Sequence, residues 1–171
     1  MKEPSEAEFH VLLAPWSGPH GGLPPFDRAT PCTIERACIR AIESKRAEIR
    51  AIADNPVPPT FANTVEALED SGRELRRTSC LFTVFRQTMN SPEMGEVEQR
   101  LAPLLSALDD EIAHDGALFA RIEAVWNDHE AAGLTAVQQR LTSVVRDRMK
   151  RRGAGLSAGS KVRLAKINGQ I

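Results

Sequence analysis

Thr30-Pro31-Cys32-Thr33-Ile34-Glu35-Arg36-Ala37-Cys38-Ile39-Arg40-Ala41-Ile42 opens a run that closes on Asn55-Pro56-Val57-Pro58-Pro59, and its reading decides the fold class. Thr30 is a good N-cap and Pro31 a good first-turn residue, because proline lacks the backbone donor that is unpaired there anyway. Ile34, Ala37, Ala41, Ile42, Ile49 and Ile52 then recur at helical spacing and mark one apolar face. The helix should end at Asn55, since a residue before proline is pushed out of the helical region and Pro56, Pro58 and Pro59 cannot continue the hydrogen-bond ladder.

The same grammar repeats downstream. Thr60 can cap a helix whose seam, Phe61, Val65, Leu68, Gly72, Leu75, Ser79, Phe82, Arg86 and Met89, alternates four and three apart. Ser91-Pro92 starts another, with Met94, Val97, Leu101, Leu104, Leu105, Leu108 and Ile112 on one face and Pro103 inside it as an expected kink. A break at Asp115-Gly116 precedes Leu118, Phe119, Ile122, Val125 and Trp126, which run towards Gly133. Thr135-Ala136-Val137-Gln138 fits a capping box, in which the threonine hydroxyl and the glutamine side chain each satisfy an orphan backbone donor. Val137, Leu141, Val144, Val145 and Met149 form the stripe of that helix, Gly153-Ala154-Gly155 stops it, and Ser157 opens a last helix with Val162, Leu164, Ala165 and Ile167. No segment alternates with period two. The expectation is therefore all-α, about six helices, two of them long, in an antiparallel array.

Upstream, Leu12-Leu13-Ala14-Pro15-Trp16-Ser17-Gly18-Pro19-His20-Gly21-Gly22-Leu23-Pro24-Pro25-Phe26 is too rich in glycine and proline for a helix or an inner strand. Residues 1–29 are read as an irregular strap pinned by Trp16 and Phe26, and residues 30–171 as the helical domain. A chain of 171 residues buries about 70% of its unfolded surface, enough for one core. Its 42% apolar and 26% charged residues are those of an ordinary globular protein, with no apolar run long enough to cross a bilayer. The polar, acidic start Met1-Lys2-Glu3-Pro4-Ser5-Glu6 is unlike a signal peptide, which gives a cytoplasmic address as the expectation. The net charge of −1 offers no long-range field for nucleic acid or an anionic membrane. Cys32, Cys38 and Cys80 are odd in number and make no Cys-x-x-Cys pair, so they are read as small buried apolar residues.

Chemistry is sparse. In His129-Glu130-Ala131-Ala132-Gly133 one histidine precedes a glutamate as in zinc peptidases, but glycine stands where the second imidazole belongs. An independent metalloenzyme centred on His129 would thus lack its ligands, and His10, His20 and His114 have no ligand spacing. The basic run Arg146, Arg148, Lys150, Arg151 and Arg152 invites a phosphate-binding reading, but a helix spreads these side chains and its C-terminus favours cations in any case. Asp109, Asp110 and Glu111 are read as a wet helix face. No nucleophile has an evident base. No catalytic, cofactor-binding or metal-binding residue is therefore assigned.

Two islands carry a family likeness: Ala14-Pro15-Trp16 through Pro24-Pro25-Phe26, and Asn55-Pro56 with Pro59-Thr60-Phe61 and Asn63-Thr64. Weaker support comes from Leu118-Phe119 followed by Val125, from Gln139-Arg140-Leu141, and from Gly153-Ala154-Gly155-Leu156-Ser157 with Lys161, Arg163, Leu164 and Ile167-Asn168. The chain resembles the opening of the peptidyl-dipeptidase and oligopeptidase A branch of the thimet-oligopeptidase-like zinc metallopeptidases. That resemblance implies a much longer, mostly helical parent that cuts short peptides, some members releasing C-terminal dipeptides, in a channel between two lobes. It places the zinc motif far downstream, so this chain is expected to be an N-terminal helical segment forming part of the channel wall. The expected partner is then the missing catalytic lobe, with zinc and short peptides belonging to the parent, neither nucleic acid nor membrane as a partner, and self-association through uncovered apolar faces. The chain departs from the family in having Val144 and Val145, and no tyrosine, before the Gly-Ala-Gly stop. The alternative is a free-standing helical protein-interaction module.

Overall fold

The structure, a computed structural model, describes residues 6–17, 22–89, 91–156 and 159–160. Among them six helices reach eight residues or more: α1 (Glu6–Leu13), α2 (Pro31–Ala53), α4 (Arg73–Thr88), α5 (Pro92–His114), α6 (Gly116–Asn127) and α7 (Ala136–Arg151). A π-helical turn at Phe61–Glu66 runs into a four-residue helix α3 (Ala67–Asp70). No strand occurs among the described residues, and the all-α expectation holds. The helix expected from Ser157 onward lies largely outside the described residues.

The start signals act as read. Thr30 Oγ1 accepts from the Thr33 amide at 3.2 Å while the Thr33 hydroxyl oxygen accepts from the Thr30 amide at 2.8 Å. Thr60 and Asn63 form a reciprocal capping box, as do Thr135 and Gln138, and Asp115 Oδ1 accepts from the Leu118 amide at 2.9 Å. At the end of α7 the Gly153 amide bonds the Lys150 carbonyl and the Ala154 amide bonds the Met149 carbonyl, a Schellman stop whose two ends, Met149 and Ala154, are both buried.

Three readings change. Residues 6–13, placed in the strap, are helical, and the apolar Phe9, Leu12 and Leu13 bury there. The seam from Phe61 to Met89 is not one helix: at Gly72 the backbone turns left-handed, with φ 75°, and α4 begins afresh. The new helix takes a new phase, so Thr78, Leu81 and Phe85 are buried while Met89 is 62% exposed. Helix α6 stops at Asn127, and Gly133 with φ 64° closes a turn, not the helix itself. Pro103 lies within α5 on its exposed side, where the Gln99 carbonyl that it leaves without a donor can be met by water.

The chain divides into two compact units, residues 1–48 with 72–108, and residues 49–71 with 109–171. In the first, α1 packs on α4, and Leu12, Ile34, Ala37, Leu81, Met94 and Leu101 form the centre of the core. Trp16 of the strap packs on this core, and Phe26 stacks on Phe85 with ring centroids 6.5 Å apart. Arg77 donates from Nε to the Leu13 carbonyl at 3.0 Å and thereby satisfies an acceptor at the end of α1. In the second unit, α6 and α7 pack together and against the π-helical turn, around Ile52, Val65, Leu118, Ile122, Val145 and Met149.

Candidate functional site

The irregular residues 55–60 and the start of the π-helical turn that follows them in the second unit are held by one buried guanidinium. Arg121 of α6 is 8% exposed, and its Nη1 donates to the carbonyls of Asn55 (2.7 Å) and Val57 (3.1 Å) while Nη2 donates to Asn63 Oδ1 (3.1 Å). Asn63 is the second node: its Oδ1 also accepts from the Thr60 amide at 2.8 Å and from the Thr64 hydroxyl at 2.9 Å, and its Nδ2 donates to the Pro58 carbonyl at 2.9 Å. A proline-rich backbone cannot pair its own carbonyls in a ladder, and Arg121 with Asn63 supplies the missing donors. Sequence reading overlooked Arg121, although the signal was present: it is the lone charge on the Leu118, Ile122 and Val125 stripe, and a charge buried among apolar neighbours must be hydrogen-bonded.

Above this framework opens a cleft of about 320 Å³ floored by Phe61, Val125 and Leu134, with the exposed carboxylates Glu66 and Asp128 at its rim. Its size is that of a small-ligand pocket.

Alongside, α6 and α7 share a polar cluster. Glu123 Oε1 accepts from Arg146 Nε at 2.5 Å and pairs with Lys150 Nζ at 3.1 Å. Partial burial alone would raise the Glu123 carboxyl, but the hydrogen bonds and charges of Lys150 and Arg146 outweigh it and hold the group below its ordinary range. The Arg146 guanidinium lies over the Trp126 ring, 5.5 Å from its centroid, and the His129 ring stacks on Trp126 at 4.5 Å and 7°.

The remaining residues singled out in the sequence fall apart in space. His129 directs Nδ1 at the Trp126 carbonyl, so its ring is occupied in packing. His10 stacks on Phe9, and His114 Nε2 lies 2.9 Å from the Arg152 carbonyl. His20 lies outside the described residues. Asp110 pairs with Arg152 at 2.9 Å. Among the described residues no group of three or more His, Cys, Asp and Glu side chains is placed to hold a metal ion, so the donor set here does not fit the zinc that the resemblance implies. Of the cysteines only Cys38 is buried; Cys32 is half-buried and Cys80 exposed, because Cys80 falls on the outer side of the rephased α4.

No protein-family model matches the chain. It is, however, 35% identical over 145 residues to the dipeptidyl carboxypeptidase of Salmonella typhimurium and 34% identical over 154 residues to that of Escherichia coli, alignments covering 85% and 90% of this chain. Oligopeptidase A of Escherichia coli is 26% identical over 157 residues. The chain matches a fragment of this peptidase family. It spans only about a fifth of those relatives, 21% of the Salmonella and 22% of the Escherichia coli dipeptidyl carboxypeptidase. Within this chain, the Asn55–Thr64 island that carried the likeness is the segment braced by Arg121 and Asn63. Its rigid residues thus have a local structural reason. No helix among the described residues is long and apolar enough to cross a membrane.

Proposed function

We propose that this chain is the N-terminal helical, channel-wall portion of a zinc metallopeptidase that removes C-terminal dipeptides from, or cleaves, short peptides, and that by itself it hydrolyses nothing. The observation that carries the reading is the 35% identity over 145 residues to a dipeptidyl carboxypeptidase of which the chain spans 21%. The supporting chemistry is the donor set. A zinc hydrolase needs about three protein ligands converging on one ion and a carboxylate near its bound water. Here His129 is the sole histidine of the turn that follows α6 and is stacked on Trp126. The cytoplasm is the compartment that fits a chain with three unpaired cysteines.

The purified chain, incubated with a quenched fluorogenic peptide with and without added zinc, is expected to give no release above buffer. Cleavage that a chelator abolishes would overturn the proposal. The coding sequence beyond Ile171 supplies the complementary test. An open frame encoding a His-Glu-x-x-His helix supports the channel-wall reading, whereas a stop codon directly after Ile171 favours a free-standing interaction module.

A further inference from the structure

The outer side of α7 concentrates positive charge that the reading above does not use. Residues 140–152 contain six cationic side chains and one acidic one, in a chain whose formal net charge is −1. Arg140, Val144, Asp147, Arg148, Arg151 and Arg152 line an open groove of about 410 Å³. Two of these charges are engaged within the second unit, Arg152 with Asp110 at 2.9 Å and Asp147 with Arg146 at 3.4 Å. Arg140, Arg148 and Arg151 are exposed and have no anionic partner among the described residues. Three guanidiniums brought to one concavity repel one another, and an anion seated among them would replace that repulsion with charge-assisted hydrogen bonds.

The spacing narrows the class of anion. On a helix rising about 1.5 Å per residue, Arg148 stands about 12 Å along the axis from Arg140 and about 4.5 Å from Arg151. Val144 lies midway on the same face and is half-buried, so an apolar patch separates the two charged ends. A ligand that fits both features carries anionic groups at two places with an apolar group between them. An extended peptide advances about 3.3 Å per residue, so carboxylates three or four residues apart match the interval. A compact oligophosphate would satisfy one end and leave Val144 against water. We propose that this groove docks an acidic peptide segment in which Glu or Asp residues flank an apolar side chain. The proposal stands on the groove alone and is independent of whether the chain lines a peptidase channel.

The test uses the full chain and a fluorescein-labelled Glu-Leu-Glu-Glu-Leu-Glu peptide, followed by fluorescence anisotropy at low salt. Binding is expected, to be lost when every Glu of the peptide is replaced by Gln, and to weaken with added salt because the charges are exposed. The double variant Arg148→Gln/Arg151→Gln should bind at least about tenfold more weakly, the scale of one lost charge-assisted contact. The control Arg50→Gln removes an exposed arginine of α2 outside the groove and should bind within about twofold of the parent chain. Circular dichroism melts confirm that the variants fold, as exposed substitutions should. The proposal is overturned by an absence of binding, by equal binding of the Gln peptide, or by equal losses in the groove and control variants. It is also overturned if inorganic tripolyphosphate, lost in the double variant, binds more tightly than the peptide.

Discussion

Arg121 and Cys38 show what burial does to a polar side chain with and without enough partners. Arg121 gives three hydrogen bonds to the Asn55–Asn63 segment, while its Nε is buried with no acceptor among the described residues. Replacing it by methionine keeps the approximate length but strands the Asn55 and Val57 carbonyls, a loss expected to cost about 3 kcal/mol. Arg121→Lys should recover little of it, because one ammonium cannot reproduce a planar fork that serves three acceptors. Urea unfolding of the two variants tests this, and a lysine variant as stable as the parent would refute the role of the fork. The Cys38 thiol is pushed up to about 11, first by burial, with the Thr78 hydrogen bond opposing and the Glu35 charge adding to the rise. At pH 8 a thiol reagent should therefore label exposed Cys80 quickly and leave Cys38 unmodified until the chain unfolds. Mass spectrometry of the labelled peptides reads the difference directly. Neither feature could be computed from residue type alone. Arg121 was nonetheless visible as a lone charge in an apolar stripe.

Helix starts were the most legible elements, because a cap is written in adjacent residues: Thr30-Pro31, Thr60 with Asn63, Ser91-Pro92 and Thr135 with Gln138 all bond as their spacing implies. Phase was less legible. The heptad pattern from Phe61 runs unbroken through Gly72 in sequence, yet the chain turns there and the buried stripe of α4 moves to Thr78, Leu81 and Phe85. Glycine permits that turn. A Cβ at position 72 would meet the Lys45 side chain at 2.8 Å, and the Gly72 amide donates to Glu48 Oε2 at 2.5 Å. Gly72→Ala should destabilise by about 1–2 kcal/mol, mostly from the left-handed backbone, since the flexible lysine can move aside. A thermal melt that does not shift would contradict this. Val137, assigned to the stripe of α7, is 78% exposed because it lies in the first turn, ahead of the buried Thr142, Val145 and Met149. The α6–α7 pairing adds a pH effect. Glu123 is held below its ordinary value of 4.5 in the folded chain, so it binds a proton less readily folded than unfolded. Its stabilisation is complete above the unfolded value and is lost as pH falls through the folded one. Glu123→Gln should therefore cost about 1 kcal/mol at pH 7, and the gap from the parent chain should close as the pH drops below 4.5.

At the scale of the molecule, a single linear reading cannot show that two cores are threaded through one chain in alternation. Periodicity reports which faces are apolar, not which faces meet. Residues 49–71 complete a unit whose other part begins at residue 109. All of the first unit lies within residues 1–108, with Leu12, Ile34, Leu81, Met94 and Leu101 at its centre. The second unit instead sets Ile49, Ile52 and Val65 against Leu118, Ile122, Val125, Val145 and Met149, all from beyond residue 108. A chain ending at Leu108 therefore keeps every residue of the first core and strips the second of its larger half. Fully buried side chains of this kind are worth about 1.5–3 kcal/mol each when kept from water, so Ile49, Ile52 and Val65 will seek other cover once uncovered. The shortened chain should retain a cooperative helical melt from its first unit while binding the dye ANS strongly and associating with itself. Two results would count against the division. Complete loss of helical signal would mean that the first core does not stand alone, and dye binding no stronger than that of the parent would mean that residues 49–71 do not depend on the helices after residue 108.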